Sequence, residues 1–164
     1  MPAGNTYVAI ASTAISSTVT EVTFSSVSSA YTDLVLVLAP TAGGIADTAI
    51  QFNSDTGSNY SRTYLTGNGT AASSGRNSGD TRIRLTYNGV TGGSAGVQII
   101  QIMNYANATT NKTILNRNSN ANYGTDANVG LWRSTSAINT IRIFCDGGGN
   151  WTAGFVSLYG IAAA

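Results

Sequence analysis

The sequence feature that most restricts the fold is the alternation of short strand-type runs with turns built from glycine and asparagine. The run Leu34–Leu38 is continuously apolar, too short for a typical helix, and suited to a strand buried on both faces. Thr81–Tyr87 alternates apolar and polar residues, which predicts that Arg82 and Arg84 point away from the core. No window shows a sustained helical period with caps. We therefore predict an all-β protein, an antiparallel β-sandwich of roughly eight to ten strands.

Turn residues and polar stretches separate these runs. Asn68-Gly69 and Asn88-Gly89 supply the positive φ angles of tight hairpin turns. The segments Gly67–Asp80 and Asn116–Asn128 are polar and are predicted as long loops, where such folds usually keep their binding residues. The chain has no linker-like or repeated segment. We expect a short N-terminal arm over residues 1–12 and a single β-sandwich domain over residues 13–164.

Charge is scarce in this chain. Charged residues make up only 9% of it, against about 25% in typical domains. The net charge of +1 leaves copies of the chain with little mutual repulsion. The surface must be built from Ser, Thr, Asn and Gly, a composition that favours association over solubility as a free monomer. These features are typical of a protein that works inside an assembly.

Catalytic signatures are weak. The chain contains no histidine, which excludes a Ser-His-Asp triad and removes the commonest general base and neutral metal ligand. Asp55–Ser58 spells the D-T-G-S string of aspartic proteases, but those enzymes need a second such aspartate, and we interpret the string as a polar turn. Its oxygens suit calcium, yet further acidic residues are sparse nearby. Carboxylate chemistry by Asp80, Asp126 or Asp146 stays open as a hydrolase alternative. We predict no enzyme activity, no metal and no cofactor.

Other residues that often mark sites are interpreted as structural. Cys145 alternates with Ile141 and Ile143 and is predicted to be a small core residue, and Trp132 and Trp151 are predicted to be core or interface anchors. The seven arginines are dispersed and the isoelectric point is near 7.8, whereas nucleic-acid-binding domains carry basic clusters. No stretch approaches the roughly 18 apolar residues of a membrane span. We therefore predict neither nucleic acid nor membrane as a partner.

Several short strings follow one another in a fixed order over about residues 5–161. They are Val22–Val27, Tyr31–Leu34, Phe52–Ser61, Asn104-Tyr105, Lys112, Gly130–Trp132, Ile138 with Ile141, and Gly154–Ile161. Their order resembles a family of tailed-phage virion structural proteins, small β-sandwich modules of capsid decoration and of tail or fibre proteins. The resemblance implies a jelly-roll-like sandwich and a structural role in the virion, which is assembled in the host cytoplasm. It implies no catalytic residues.

The resemblance also implies partners. With no fibre shaft after Ile161, a capsid decoration (cement) protein is expected, bound to the major capsid protein or other virion proteins and forming a homotrimer by analogy. We expect its interface to include Tyr7, Val8 and Ile10, together with Arg82 and Arg84.

The alternative is a tail or fibre-tip module that binds host surface carbohydrate. In that case the predicted loops would carry the ligand site, with Arg76 and Asn77 beside a Tyr123 that stacks on a sugar.

Overall fold

The structure, a computed structural model, describes residues 6–44, 47–86, 96–120 and 122–162. Within these ranges all regular structure is β-strand, and every strand pairing is antiparallel. The strands are β1 (Tyr7–Ile15), β2 (Glu21–Phe24), β3 (Asp33–Leu38), β4 (Thr41–Ala42), β5 (Asp47–Phe52), β6 (Tyr60–Gly67), β7 (Ala72–Asp80), β8 (Ile83–Arg84), β9 (Val97–Met103), β10 (Lys112–Asn120), β11 (Gly124–Trp132), β12 (Ile141–Asp146) and β13 (Trp151–Ile161).

The strands form two sheets of unequal size. The large sheet has the order β1-β13-β3-β9-β10-β11-β6-β7, with β4 attached to β13, and the small sheet has the order β2-β12-β5-β8. Their facing sides enclose one apolar core. Leu34, Leu36 and Ile100 from the large sheet and Ile50 and Ile143 from the small sheet are fully buried in it. The predicted all-β antiparallel sandwich is confirmed.

The core changes from apolar to polar along β10. The residues of this strand that face the small sheet read Lys112, Ile114, Asn116, Asn118 and Asn120, and all five are buried. On β11 and β9 the same end is filled by the buried side chains of Asp126, Asn128 and Gln98. The sandwich therefore has an apolar end and a hydrogen-bonded polar end.

The last strand bends where it leaves one partner for another. β13 pairs with β4 at Trp151 and Ala153, with a register shift between them, and then with β3 from Val156 onwards. Gly154 provides the bend with a φ of +113°, and a Cβ at this position would lie 2.1 Å from the Ala39 carbonyl oxygen. Only glycine fits there without moving the backbone.

Several local predictions need correction. Residues 7–12, predicted as part of an N-terminal arm, belong to β1 and pair with β13. The predicted loop Gly67–Asp80 is mostly β7, and the predicted loop Asn116–Asn128 is a hairpin of β10 and β11. The strand expected over Thr81–Tyr87 is only the two residues of β8, and Tyr87 lies outside the described residues. These extra strands raise the number above the roughly eight to ten that were predicted.

Of the two predicted hairpin turns, the described residues include one. Asn68-Gly69 does form the β6–β7 turn, with a φ of +83° at Gly69 and a hydrogen bond from the Asn68 amide to the Ala71 carbonyl. Asn88-Gly89 lies outside the described residues.

Candidate interaction surface

The side of the large sheet that is turned away from the small sheet, here called the outer face, is unusually apolar. The β6 residue Leu65 is 63% exposed and the β11 residue Val129 is 49% exposed. Leu115, Met103 and Phe155 on three further strands are exposed as well. Leu65, Val129 and Leu115 lie on the neighbouring strands β6, β11 and β10 and form one apolar patch. Met103 lies farther along, opposite Thr113, and Phe155 lies on β13, beyond β3.

Strand register brings the central members of this surface together. Leu115 on β10 lies opposite Val129 on β11, and Ala127 on β11 lies opposite Leu65 on β6. Side chains at directly opposed positions lie about 5 Å apart, so these four are in reach of one another. Between them is a shallow depression of about 320 Å³.

The outer face is large enough for a stable protein interface. The eight strands of the path from β1 to β7 lie about 4.8 Å apart and run for up to nine residues or more, which gives a face on the order of 900 Å². A standard interface buries about 800 Å² on each partner. Two exposed arginines stand on this face, Arg117 opposite Ala127 and Arg76 opposite Thr63. They favour a partner with acidic groups.

The inner side of the same strands is held by a polar network. The Nδ2 atoms of Asn116, Asn118 and Asn128 all donate to the Leu85 carbonyl oxygen, at 2.6, 2.7 and 2.8 Å. Because these amides come from β10 and β11, they tie both strands to the segment that follows β8. The outer face is therefore supported from behind by hydrogen bonds that hold it in shape.

A buried arginine extends this network to the edge of the sheet. Nη1 of Arg62 on β6 donates to the carbonyl oxygens of Arg84 and Thr86, at 3.0 and 3.1 Å, and its Nε donates to Oδ1 of Asn77 on β7 at 3.1 Å. Burial is the main cause that lowers the pKa of this guanidinium from its usual value. Asn77, predicted as a ligand residue in a loop, is a strand residue that holds Arg62.

The D-T-G-S string forms the polar turn that was predicted. Asp55 Oδ1 accepts the Gly57 amide at 2.8 Å, and Asp55 Oδ2 accepts the indole Nε1–H of Trp132 at 2.7 Å. The Trp132 bond is the largest of the effects that lower the pKa of Asp55. Trp132 in turn stacks on Tyr60, with ring centroids 6.3 Å apart. This carboxylate therefore anchors a core aromatic residue at the end of β11.

The predicted interface residues separate into two groups. Tyr7, Val8 and Ile10 lie on β1, an edge strand, with Tyr7 56% exposed and the other two half-buried. Arg82 and Arg84 instead form ion pairs within the chain. Their Nε atoms lie 2.9 and 3.0 Å from the two carboxylate oxygens of Asp146. Nη1 of Arg82 also lies 3.3 Å from Oδ1 of Asp80, so two aspartates balance the two arginines and no neighbouring subunit is needed to pair with them.

The residues of the alternative ligand loop are not brought together. Tyr123, 37% exposed, borders a depression of about 350 Å³ whose other walls include Asn68, Gly69 and Asn120. Arg76 pairs with Thr63, four residues along β6 from the Gly67 that borders the same depression. At about 3.3 Å per strand residue, Arg76 lies roughly 13 Å from this site.

The remaining reactive groups have structural surroundings. Cys145 is buried, and its burial raises the pKa of the thiol to about 11, which makes it inert at neutral pH. Trp151 is fully buried, as predicted. Lys112 is also fully buried, with Nζ donating to the carbonyl oxygens of Thr110 and Thr135 at 2.7 and 3.1 Å, and desolvation lowers its pKa. Nothing in the sequence pattern identified this lysine as a core residue.

In the described part of the chain, His, Cys, Asp and Glu side chains do not gather in groups of three or more that could hold a metal ion. The same residues include no helix long and apolar enough to cross a membrane.

Comparison with models of protein families, with curated proteins and with solved structures gives no match for this chain.

Proposed function

We propose that this chain is a non-enzymatic structural protein of a phage virion, a decoration protein that binds the assembled head through the outer face and stabilises it. The observation that carries the proposal is the outer face itself, because it combines exposed Leu65, Leu115 and Val129 with a size typical of a protein interface. The scarcity of charge supports it, since closely packed copies repel one another weakly. The virion context comes from the resemblance of the sequence.

The stabilising mechanism is mass action. A protein that binds assembled shell and not its dissociated or unfolded subunits lowers the free energy of the assembled state by RT ln(1 + [L]/Kd), about 2.7 kcal/mol when its concentration is a hundred times Kd. The partner is the major capsid protein or another virion protein with an apolar patch and acidic groups that meet Arg117 and Arg76. The homotrimer implied by the resemblance stays a prediction.

The test is co-sedimentation with heads from the same phage that lack this protein. We expect wild-type protein to pellet with the heads and to raise the temperature at which they release DNA. A Leu65→Glu, Leu115→Glu variant should lose both effects, because two carboxylates would replace the apolar contact and would repel the acidic groups of the partner. A matched Thr20→Glu, Ser29→Glu variant changes two exposed residues outside the outer face and should behave as wild type. Equal binding by the two variants would refute the outer face as the contact.

One observation favours the carbohydrate alternative. The β6–β7 turn and the β10–β11 turn lie side by side, so that Tyr123 borders a depression beside Asn68 and Asn120. An aromatic ring with neighbouring amides is a common arrangement for sugars. If Tyr123→Ala removes binding to host surface glycans while head binding is absent in the wild type, the tail role replaces the decoration role.

A further inference from the structure

The β1 edge of the large sheet has no neighbouring strand among the residues that the structure describes. Among the described strands β1 pairs with β13 alone, and it stands at the end of the strand order. Along the free side of β1, alternate residues present backbone N–H and C=O groups that form no hydrogen bonds with another described strand. Such an edge is a ready template for another strand.

The β1 edge also lacks the features that natural proteins use to protect such strands. The stretch Tyr7–Ile15 contains no charged residue and no proline, and most of its side chains are exposed. One irregularity lies between Ala9 and Ala11, but the pairing is regular from Ala11 to Ile15. A charge or a proline in the strand would block pairing, and β1 has neither.

We propose that two copies of this chain pair through their β1 strands, antiparallel across a two-fold axis, and so form one continuous sheet. A two-fold axis at Thr13 pairs the regular part of the strand with itself and sets Ala11 beside Ile15 of the partner subunit. Because β1 is uncharged, self-pairing places no like charges opposite each other.

The opposite edge of the sheet does not offer this contact. Arg76 lies at the middle of β7, Ala72–Asp80, so full antiparallel overlap of two β7 strands would set Arg76 against Arg76 of the partner subunit. Like charges in directly opposed positions are destabilising. Self-pairing is therefore disfavoured at the β7 edge, and the uncharged β1 edge is the one that suits a second copy.

This pairing goes beyond the shell-binding role and does not depend on it. It concerns a different surface, and it predicts a two-fold pair where the resemblance implies a trimer. Ile10 lies three residues from the axis at Thr13, about 10 Å along the strand, and Tyr7 lies six residues from it, about 20 Å. The predicted interface role of Tyr7, Val8 and Ile10 therefore stays a separate prediction.

The test is the sedimenting mass of the purified full chain over a range of concentrations, without shells. We expect wild-type protein to sediment at twice the chain mass. Thr13→Lys places two ammonium groups at the axis and should sediment at the chain mass at low salt, with partial recovery at high salt. Ser74→Lys adds the same charge at an exposed position of β7 and should remain a pair.

A second variant keeps the proposal testable if Thr13→Lys fails to fold. Opposed residues in antiparallel strands have Cα atoms about 4.5–5.5 Å apart, within the range that a disulfide spans. Mild oxidation should therefore cross-link Thr13→Cys into a covalent pair, while wild-type protein, whose Cys145 is buried, stays uncross-linked. A wild-type monomer at every concentration, a trimer, or a Thr13→Lys variant that still pairs would overturn the proposal.

Discussion

The carboxylate of Asp55 anchors the end of β11. Asp55 accepts hydrogen bonds from the indole of Trp132 and from the Gly57 amide, at 2.7 and 2.8 Å. Because these donors favour the ionised form, the pKa of Asp55 lies below its ordinary value of about 3.9. A residue whose string suggests protease chemistry is thus an ionised acceptor that positions a core aromatic.

The lowered pKa of Asp55 makes a prediction about acid stability. A carboxyl whose pKa is lower in the folded than in the unfolded protein stabilises the fold fully above about pH 4 and loses this contribution as pH falls through the folded value. Asp55→Asn keeps an acceptor for Trp132 but does not titrate, so its unfolding free energy should depend less on pH than that of wild type. Urea denaturation between about pH 6 and about pH 2 measures both slopes. Equal slopes would show that Asp55 does not contribute.

At the scale of the elements, the sequence pattern predicted some strands but missed most of the hairpin of β10 and β11, which was predicted as a loop over Asn116–Asn128. Leu34–Leu38 was predicted as a strand buried on both faces and is β3, with Val37 alone half-buried. Strands of a sandwich usually point apolar side chains inward and polar side chains outward. In β10 and β11 this is reversed, since Asn116 and Asn128 point inward and Leu115 and Val129 outward. An asparagine in the core needs a buried partner, here the Leu85 carbonyl, which lies 31 residues from Asn116 and 43 residues from Asn128 in the sequence. Local patterns carry no information about it.

The sequence also did not predict the outer face, because local patterns do not show which strands lie side by side. Leu65, Leu115 and Val129 lie on three strands, two of which were predicted as loops over part of their length. Their proximity depends on strand register, which composition does not specify. In contrast, Cys145 was correctly predicted as a core residue, because it alternates with Ile141 and Ile143. Trp132 and Trp151, predicted as core or interface anchors, both lie in the core.

At the bend in β13, a single added methyl group should lower the stability of the fold. Gly154→Ala adds a Cβ 2.1 Å from the Ala39 carbonyl oxygen and forces a residue with a side chain to a φ of +113°. We expect a loss of about 2–4 kcal/mol in the free energy of unfolding. Gly79→Ala is the control, since φ is +66° there and a Cβ has no heavy atom within 4 Å. It should cost about 1–2 kcal/mol, measured by urea denaturation, and equal losses would mean that the Ala39 contact relaxes freely.

For the whole molecule, the two proposed contacts have compatible geometry. A two-fold axis through paired β1 strands runs perpendicular to the sheet, so the outer faces of both copies point in the same direction. The pair then presents about twice the area of one outer face as a single broad surface. A surface of this kind suits a shell, which repeats the same binding site at regular spacing.

Pairing should therefore strengthen shell binding without any new contact to the shell. Once one copy has bound, the second binds from a high effective concentration, which typically raises the overall affinity by about 10²–10⁴-fold. Thr13→Lys leaves the outer face intact but breaks the pair, so its apparent Kd for shells should rise by about 10²-fold or more, while Ser29→Lys, at an exposed residue outside the outer face, binds as wild type. Titration of shells with each protein, followed by sedimentation, measures the difference. If Thr13→Lys lost pairing yet bound shells as tightly as wild type, the two outer faces of a pair would not reach neighbouring sites, and each copy would act on the shell alone.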